Sequence, residues 1–235
     1  MFRFKQFTVD DSHCAMKVGP DGVLLGAWAP AADPRRVLDV GTGSGLIALM
    51  VAQRIGGEYS VLGIDVDGEA VRQASANFAA SPWAERLQAK QVALQELAAN
   101  EEAQGAFDLI VSNPPYFVDS LKNPDAGRRL ARHTDTLPFE ELVTCSARLL
   151  AANGTLAVIV PAEAEEPLVR LGREQELQPY YITRVCTRKG KQPKRVLMAF
   201  AFGERTCRED ELSLMDEKGD ARSAAYQNLC REFYL

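Results

Sequence analysis

Short β-rich runs that end in turn residues recur along this chain with helical patterns between them, and that alternation restricts its possible folds more than any other feature. The clearest runs are Arg36–Val40, Ser60–Ile64 and Phe107–Val111, followed by Gly154–Val160, roughly Tyr180–Thr187, and Arg195–Phe202. A weakly patterned run at Gln88–Val92 takes third place in the order. Apolar spacing is helical over Gly45–Arg54, Gly68–Ala79, Pro138–Ala152 and Glu163–Glu176. Strands separated by helices of this length lie parallel and are joined by right-handed crossovers. The expected fold is therefore α/β, a doubly wound and mostly parallel sheet with helices on both faces. The near-continuous apolar runs at 154–160 and 196–202 suit strands covered on both sides. After Phe202 the chain turns polar from Glu204 to Asp220, and Ala221–Phe233 reads as one more short helix.

At 235 residues this is one large domain rather than two. The expected division is a single domain over 1–235, with an N-terminal segment 1–35, a core sheet 36–203 and a C-terminal segment 204–235. The longest uncharged stretches, Val40–Gln53 and Leu149–Ala162, are 14 residues each, short of the roughly 18 that a membrane helix needs. The first residues, Met1-Phe-Arg-Phe-Lys-Gln6, lack a secretory h-region, so no membrane association and a cytoplasmic location are expected. Five cysteines are odd in number, widely spaced and joined by only two histidines. That pattern suits reduced, apolar fillers rather than a disulfide framework or a metal site. Lys and Arg are outnumbered 27 to 32 by Asp and Glu, which argues against indiscriminate polyanion binding but leaves room for a local basic face.

Asp39-Val-Gly41-Thr42-Gly43-Ser44-Gly45 follows the first strand and opens a helix. Ligands of such sheets bind at the carboxyl ends of the strands, and glycines let the backbone approach them closely. The G-x-G-x-G spacing differs from the dinucleotide fingerprint, and without G-K-[ST] the loop is no P-loop. Asp65, 24 residues beyond Gly41, ends the second strand. A carboxylate there can accept hydrogens from both hydroxyls of an adenosine ribose, which suits S-adenosylmethionine or NAD.

After the fourth strand comes Ser112-Asn113-Pro114-Pro115-Tyr116-Phe117. Two prolines fix φ and remove two donors, making a stiff extended elbow that holds Asn113 in one orientation. The Asn113 side-chain oxygen and the Pro114 carbonyl can together accept both hydrogens of a planar NH2 group. Tyr116 can stack on the flat group that carries it. The chemistry this suits is in-line methyl transfer to nitrogen, for which positioning supplies much of the rate.

The pairing of Asp39-x-Gly-Thr-Gly-Ser-Gly45 with Asn113-Pro-Pro-Tyr116 resembles that of class I S-adenosylmethionine-dependent amino-methyltransferases. More narrowly, Phe4–Phe7, Cys14–Gly19, Asp21–Pro30 and Ser81–Arg86 are similar to segments of the bacterial tRNA adenine-N6 methyltransferases that act on adenosine 37 of valine tRNA. The resemblance spans nearly the whole chain and implies a seven-stranded Rossmann-like methyltransferase sheet whose N-terminal segment covers the cofactor and substrate side. It implies that Gly41, Gly43 and Gly45 cradle the methionine part of S-adenosylmethionine with Asp39 orienting its amino group, that Asp65 holds the ribose, and that Thr42 and Val66 belong to the same cofactor site. Ala93 stands where such enzymes often carry an Asp for the cofactor's adenine, and backbone groups around Val92 to Leu94 would take its place. Asn113, Pro114, Pro115 and Tyr116 would hold the target adenine. Asp21 either covers the methionine end or marks a plain turn.

Six of the twelve residues from Arg184 to Arg195 are basic and none is acidic. On an acidic protein this run marks a phosphate-contacting patch made of Arg184, Arg188, Lys189, Lys191, Lys194 and Arg195. Arg128, Arg129 and Arg132 follow the elbow and can grip backbone beside a splayed base. The expected partner is therefore a tRNA anticodon loop, whose single-stranded bases expose their edges, with no metal and a monomeric chain. A protein glutamine methyltransferase, another RNA amino-methyltransferase, an NAD dehydrogenase and a noncatalytic RNA-binding module are the competing readings.

Overall fold

The structure, a computed structural model, describes residues 1–14, 16–30, 33–115 and 137–235. Two short strands, β1 (Phe2–Arg3) and β2 (Thr8–Val9), pair with each other, and α1 (Pro20–Trp28) leads into the main sheet. There follow β3 (Arg36–Val40), α2 (Leu46–Arg54), β4 (Ser60–Asp65), α3 (Gly68–Ala79), β5 (Leu87–Gln91), α4 (Leu94–Ala99) and β6 (Phe107–Ser112). After residue 137 come α5 (Phe139–Leu149), β7 (Leu150–Pro161), α6 (Glu165–Glu174), β8 (Leu177–Cys186), β9 (Arg195–Phe202), β10 (Arg208–Ser213) and α7 (Ala224–Cys230).

The main sheet runs β5-β4-β3-β6-β7-β9-β8-β10. It is parallel from β5 to β7, β9 runs against both neighbours, and β10 is again parallel to β8. The expected doubly wound, mostly parallel architecture is present. Alternate residues of each strand feed two cores: Val37, Leu109 and Ala157 pack toward α1 and α2, while Leu38, Ile110 and Leu156 pack with Leu142 and Leu168 of α5 and α6.

The sheet has eight strands where seven were expected, and it continues past residue 203. The segment 204–220, read as polar tail, contains β10. Of its six residues only Leu212 is buried, so it lacks the alternation that marks a strand. Charge is what a sheet edge carries to discourage further pairing. Side chains fasten it instead: Asp210 accepts from Thr183 at 2.5 Å and Tyr181 at 3.1 Å, and Arg208 lies over the Tyr181 ring. The last helix covers Ala224–Cys230 rather than 221–233, capped by Ser223, whose hydroxyl accepts from the Tyr226 amide.

Helix α1 carried no amphipathic signal because Gly22 through Trp28 are all buried, so it has no polar face to set a period. Pro20 enters at the helix start with φ preset, and Asp21 sits in the first turn, where a negative charge is favourable. Gly26 lets α1 press onto α2, since a Cβ there would fall 2.7 Å from Met50.

The two ends of the chain meet. Phe4 stacks on Phe7 at 4.6 Å and on Tyr234 at 6.0 Å, and the Lys5 amide donates to the Phe233 carbonyl at 2.8 Å. Phe4 and Phe233 are fully buried, so the first residues are core rather than an appended arm. Phe4→Ala is expected to cost about 3 kcal/mol or more of unfolding free energy, measured by urea denaturation. A loss under about 1 kcal/mol would show that the N-terminal segment contributes little to the fold.

Candidate active site

Register builds the site. Val40 pairs with Ile64 on one side and with Ser112 on the other, so the next residues of the three central strands, Gly41, Asp65 and Asn113, leave the sheet side by side. This is also where the chain order reverses, with β4 and β5 on one flank of β3 and β6 on the other, the usual ligand position in open α/β sheets. The Ser112 hydroxyl donates to the Val40 carbonyl at 3.0 Å, and the amides of Gly41 and Thr42 both donate to the Ile64 carbonyl at 2.9 Å.

Gly41 and Gly43 adopt φ of 69° and 53°, and a Cβ built on either meets nothing within 4 Å. They curve around an open cradle in a conformation that L side chains resist. Gly45 differs: its φ is 79°, and a Cβ there would lie 2.4 Å from Phe78. It is required for close packing of the loop on α3.

Beneath the loop lies Asp39, fully buried. Its Oδ2 accepts from the Thr42 hydroxyl at 2.7 Å and the Ala48 amide at 3.2 Å, while Oδ1 has no hydrogen-bond partner among the described residues. Burial pushes its carboxyl up to about 7, against the two hydrogen bonds and with some help from the nearby Asp65 carboxylate. An orphaned buried acceptor beside an open glycine cradle suits a cationic group such as an ammonium.

Asp65 accepts from the Gly43 amide at 2.9 Å through Oδ2 and from the Asp67 amide at 3.0 Å through Oδ1, which fixes its orientation. Each oxygen retains a lone pair for a hydroxyl donor. Val66, next in line, is 53% exposed, an apolar surface at the site's edge. Val92 and Ala93 are half-buried nearby, and the Val92 amide donates to the Asp65 carbonyl at 3.1 Å. Ala93 precedes α4 without offering a side-chain cap.

Asn113 is half-buried, Pro114 buried and Pro115 exposed. The Asn113 Nδ2 approaches Met16 Sδ at 3.5 Å, so the N-terminal segment reaches the elbow. That segment is clipped to the glycine loop by Asn77 of α3: its amide nitrogen donates to the carbonyls of Asp10 and Ser44, each at 2.8 Å, and its oxygen accepts from the Asp10 amide at 3.0 Å. Asn77 was missed in the sequence reading. A polar residue on the buried face of an amphipathic helix is the signal that could have found it. Tyr116, Arg128, Arg129 and Arg132 lie outside the described residues.

The basic run divides. Arg184 is held by Glu165 and by Glu209, the latter at 2.8 Å, and these two carboxylates keep its pKa above the usual arginine value. Arg195 Nε donates to Asp21 at 2.8 Å, which accounts for Asp21 within the protein. Lys189, Lys191 and Lys194 are exposed and Arg188 half-buried. Among the described residues there is no group of His, Cys, Asp and Glu able to hold a metal ion and no helix long and apolar enough to cross a membrane.

Comparison with known proteins gives the family of the chain and its fold. The methyltransferase small domain family matches residues 22–171. Over its full length the chain is 46% identical to a tRNA1(Val) (adenine(37)-N6)-methyltransferase of Bacteroides fragilis and 44% identical to one of Aeromonas hydrophila, covering 97% of each. The chain belongs to this methyltransferase family. A solved structure of a predicted O-methyltransferase from Agrobacterium tumefaciens shares the fold, with a TM-score of 0.70 at 17% identity over 90% of this chain and 96% of that one.

In this methyltransferase the buried Asp39 gives a pH signature. Its folded carboxyl keeps its proton up to about 7, whereas in the unfolded chain it ionises near about 4. Folding is therefore favoured by this group at low pH, and that contribution is lost as pH climbs between the two values. Relative to Asp39→Asn, the thermal midpoint of the wild-type apoprotein is expected to fall between about pH 4 and about pH 7. Parallel pH profiles for the two proteins would contradict the assignment.

Proposed function

We propose that this protein transfers a methyl group from S-adenosylmethionine to the exocyclic N6 of adenosine 37 in the anticodon loop of valine tRNA, working in the cytoplasm. The observation that carries the reading is the Val40–Ser112 register, which sets Asn113 beside the glycine cradle. The reaction named for the full-length relatives is the same.

The residues present fit S-adenosylmethionine. The orphaned Asp39 Oδ1 and the cradle of Gly41, Thr42 and Gly43 would take its methionine part, Asp65 its ribose hydroxyls, and the exposed Val66 with Val92 and Ala93 its adenine. When bound, it supplies a methyl group on a positively charged sulfur, which leaves as a neutral thioether. The chain's own work is positioning. Asn113 Oδ1 and the Pro114 carbonyl accept the two N6 hydrogens, which keeps the nitrogen lone pair out of the ring and directed toward the methyl carbon. Holding the two atoms in line removes the orientational part of the barrier. The methylated nitrogen is cationic and acidic, so its extra proton passes to water without a strong general base.

Asn113→Ala is expected to lower methylation of unmodified tRNA by about 10²- to 10³-fold, the size of effect seen when one oriented polar contact to a reacting group is removed. Binding of S-adenosylmethionine, measured by calorimetry, should be retained. Mass spectrometry of the digested tRNA should place the product as N6-methyladenosine. Full activity of the variant, or methylation of a protein glutamine with none on tRNA, would overturn the reading.

A further inference from the structure

Resting on the tRNA reading above, we propose that the loop 187–194 is a pre-built cradle for the tRNA phosphate backbone in which Lys191 and Lys194 make the contacts, while the flanking Arg184 and Arg195 anchor the loop. The run looks uniform in sequence, but its cations sit in two different environments.

Placement comes first. Ser112 pairs with Val158 of β7, and three residues further on Pro161 pairs with Arg195 of β9. Arg195 thus lies two strand intervals to the side and three residues beyond the end of β6, about 14 Å from Ser112 by standard strand spacing and rise. The loop rises from the same edge of the sheet as the Asn-Pro-Pro elbow. A nucleotide at the elbow would bring its neighbouring phosphates toward it.

The loop is held at both roots. The Lys194 amide donates to the Val185 carbonyl at 2.9 Å and closes its neck, and the Lys191 amide donates to the Arg188 carbonyl at 3.1 Å around Gly190. The Leu214 and Met215 amides continue the β10 ladder onto Cys186 and Thr187. Arg188 donates to the Lys218 carbonyl at 3.3 Å. Arg184 carries two carboxylates, and Arg195 ties the loop to Asp21 in the first turn of α1, beside the glycine-loop helix. Guanidinium groups paired in this way have their charge already matched and release few counterions on meeting RNA.

Carboxylates also border the loop from the turn after β10. Glu217 lies 3.7 Å from Lys189, and Asp216 accepts from the amides of Gly219 and Asp220. Lys191 and Lys194 are exposed, and among the described residues no ion pair involves either ammonium. A backbone ordered before binding loses little entropy on association.

The test is binding of unmodified tRNA to the full chain at increasing salt. With Lys191→Ala and Lys194→Ala combined, the slope of log affinity against log salt should fall by about 1.5, as expected for two lost phosphate contacts, with an unchanged melting temperature. Arg184→Gln should lower the melting temperature and leave the slope alone. Asp21→Asn should raise the KM for tRNA several-fold without changing the slope, with partial recovery in Asp21→Glu. An unchanged slope in the double lysine variant, an equal loss of slope in Arg184→Gln, or tighter tRNA binding in Asp21→Asn would overturn the proposal. The slopes are read without turnover, so a wild-type protein inactive on tRNA would refute the proposed reaction separately.

Discussion

Everything at the site depends on how β3 is hydrogen-bonded between β4 and β6. A shift of one residue in either ladder would turn each strand's side chains to the opposite face and separate the three strand ends. In the register observed, Val40 lies between Ile64 and Ser112, so a glycine loop, a carboxylate and an amide elbow emerge together. The two cores enforce that register, because Leu38 and Ile110 share one face while Val37 and Leu109 share the other. Apolar packing on both faces of the sheet is thereby converted into alignment of polar groups at its edge.

The site's polar groups are costly to the free protein in a way that suits binding. Asp39 is buried with one oxygen unmatched, and its carboxyl is held partly protonated by burial. A cationic ligand group nearby would restore the charge and satisfy the oxygen. Asp65 is oriented by backbone amides before any ligand arrives. Rigidity is also imposed from outside the sheet, where Asn77 joins the N-terminal segment to the glycine loop.

Much of this was legible from residue patterns because the parts that matter follow local rules. Buried parallel strands read as apolar runs, glycine-rich turns follow them, and consecutive prolines have one backbone reading. The failures are equally physical. Helix α1 is buried all round and so has no period, and β10 is an edge strand whose charge hides it. The basic run showed charge but not pairing: Glu165, Glu209 and Asp21 are distant in sequence from Arg184 and Arg195, and only the fold reveals which cations they neutralise.

The most direct test of the account is a crystal structure of the protein with S-adenosylhomocysteine and adenosine. The thioether sulfur is expected over the Gly41–Gly43 turn, the ribose hydroxyls on Asp65, and the adenine N6 between Asn113 Oδ1 and the Pro114 carbonyl, facing the sulfur. An adenine bound away from that elbow, or a sulfur on the far side of β3, would contradict it.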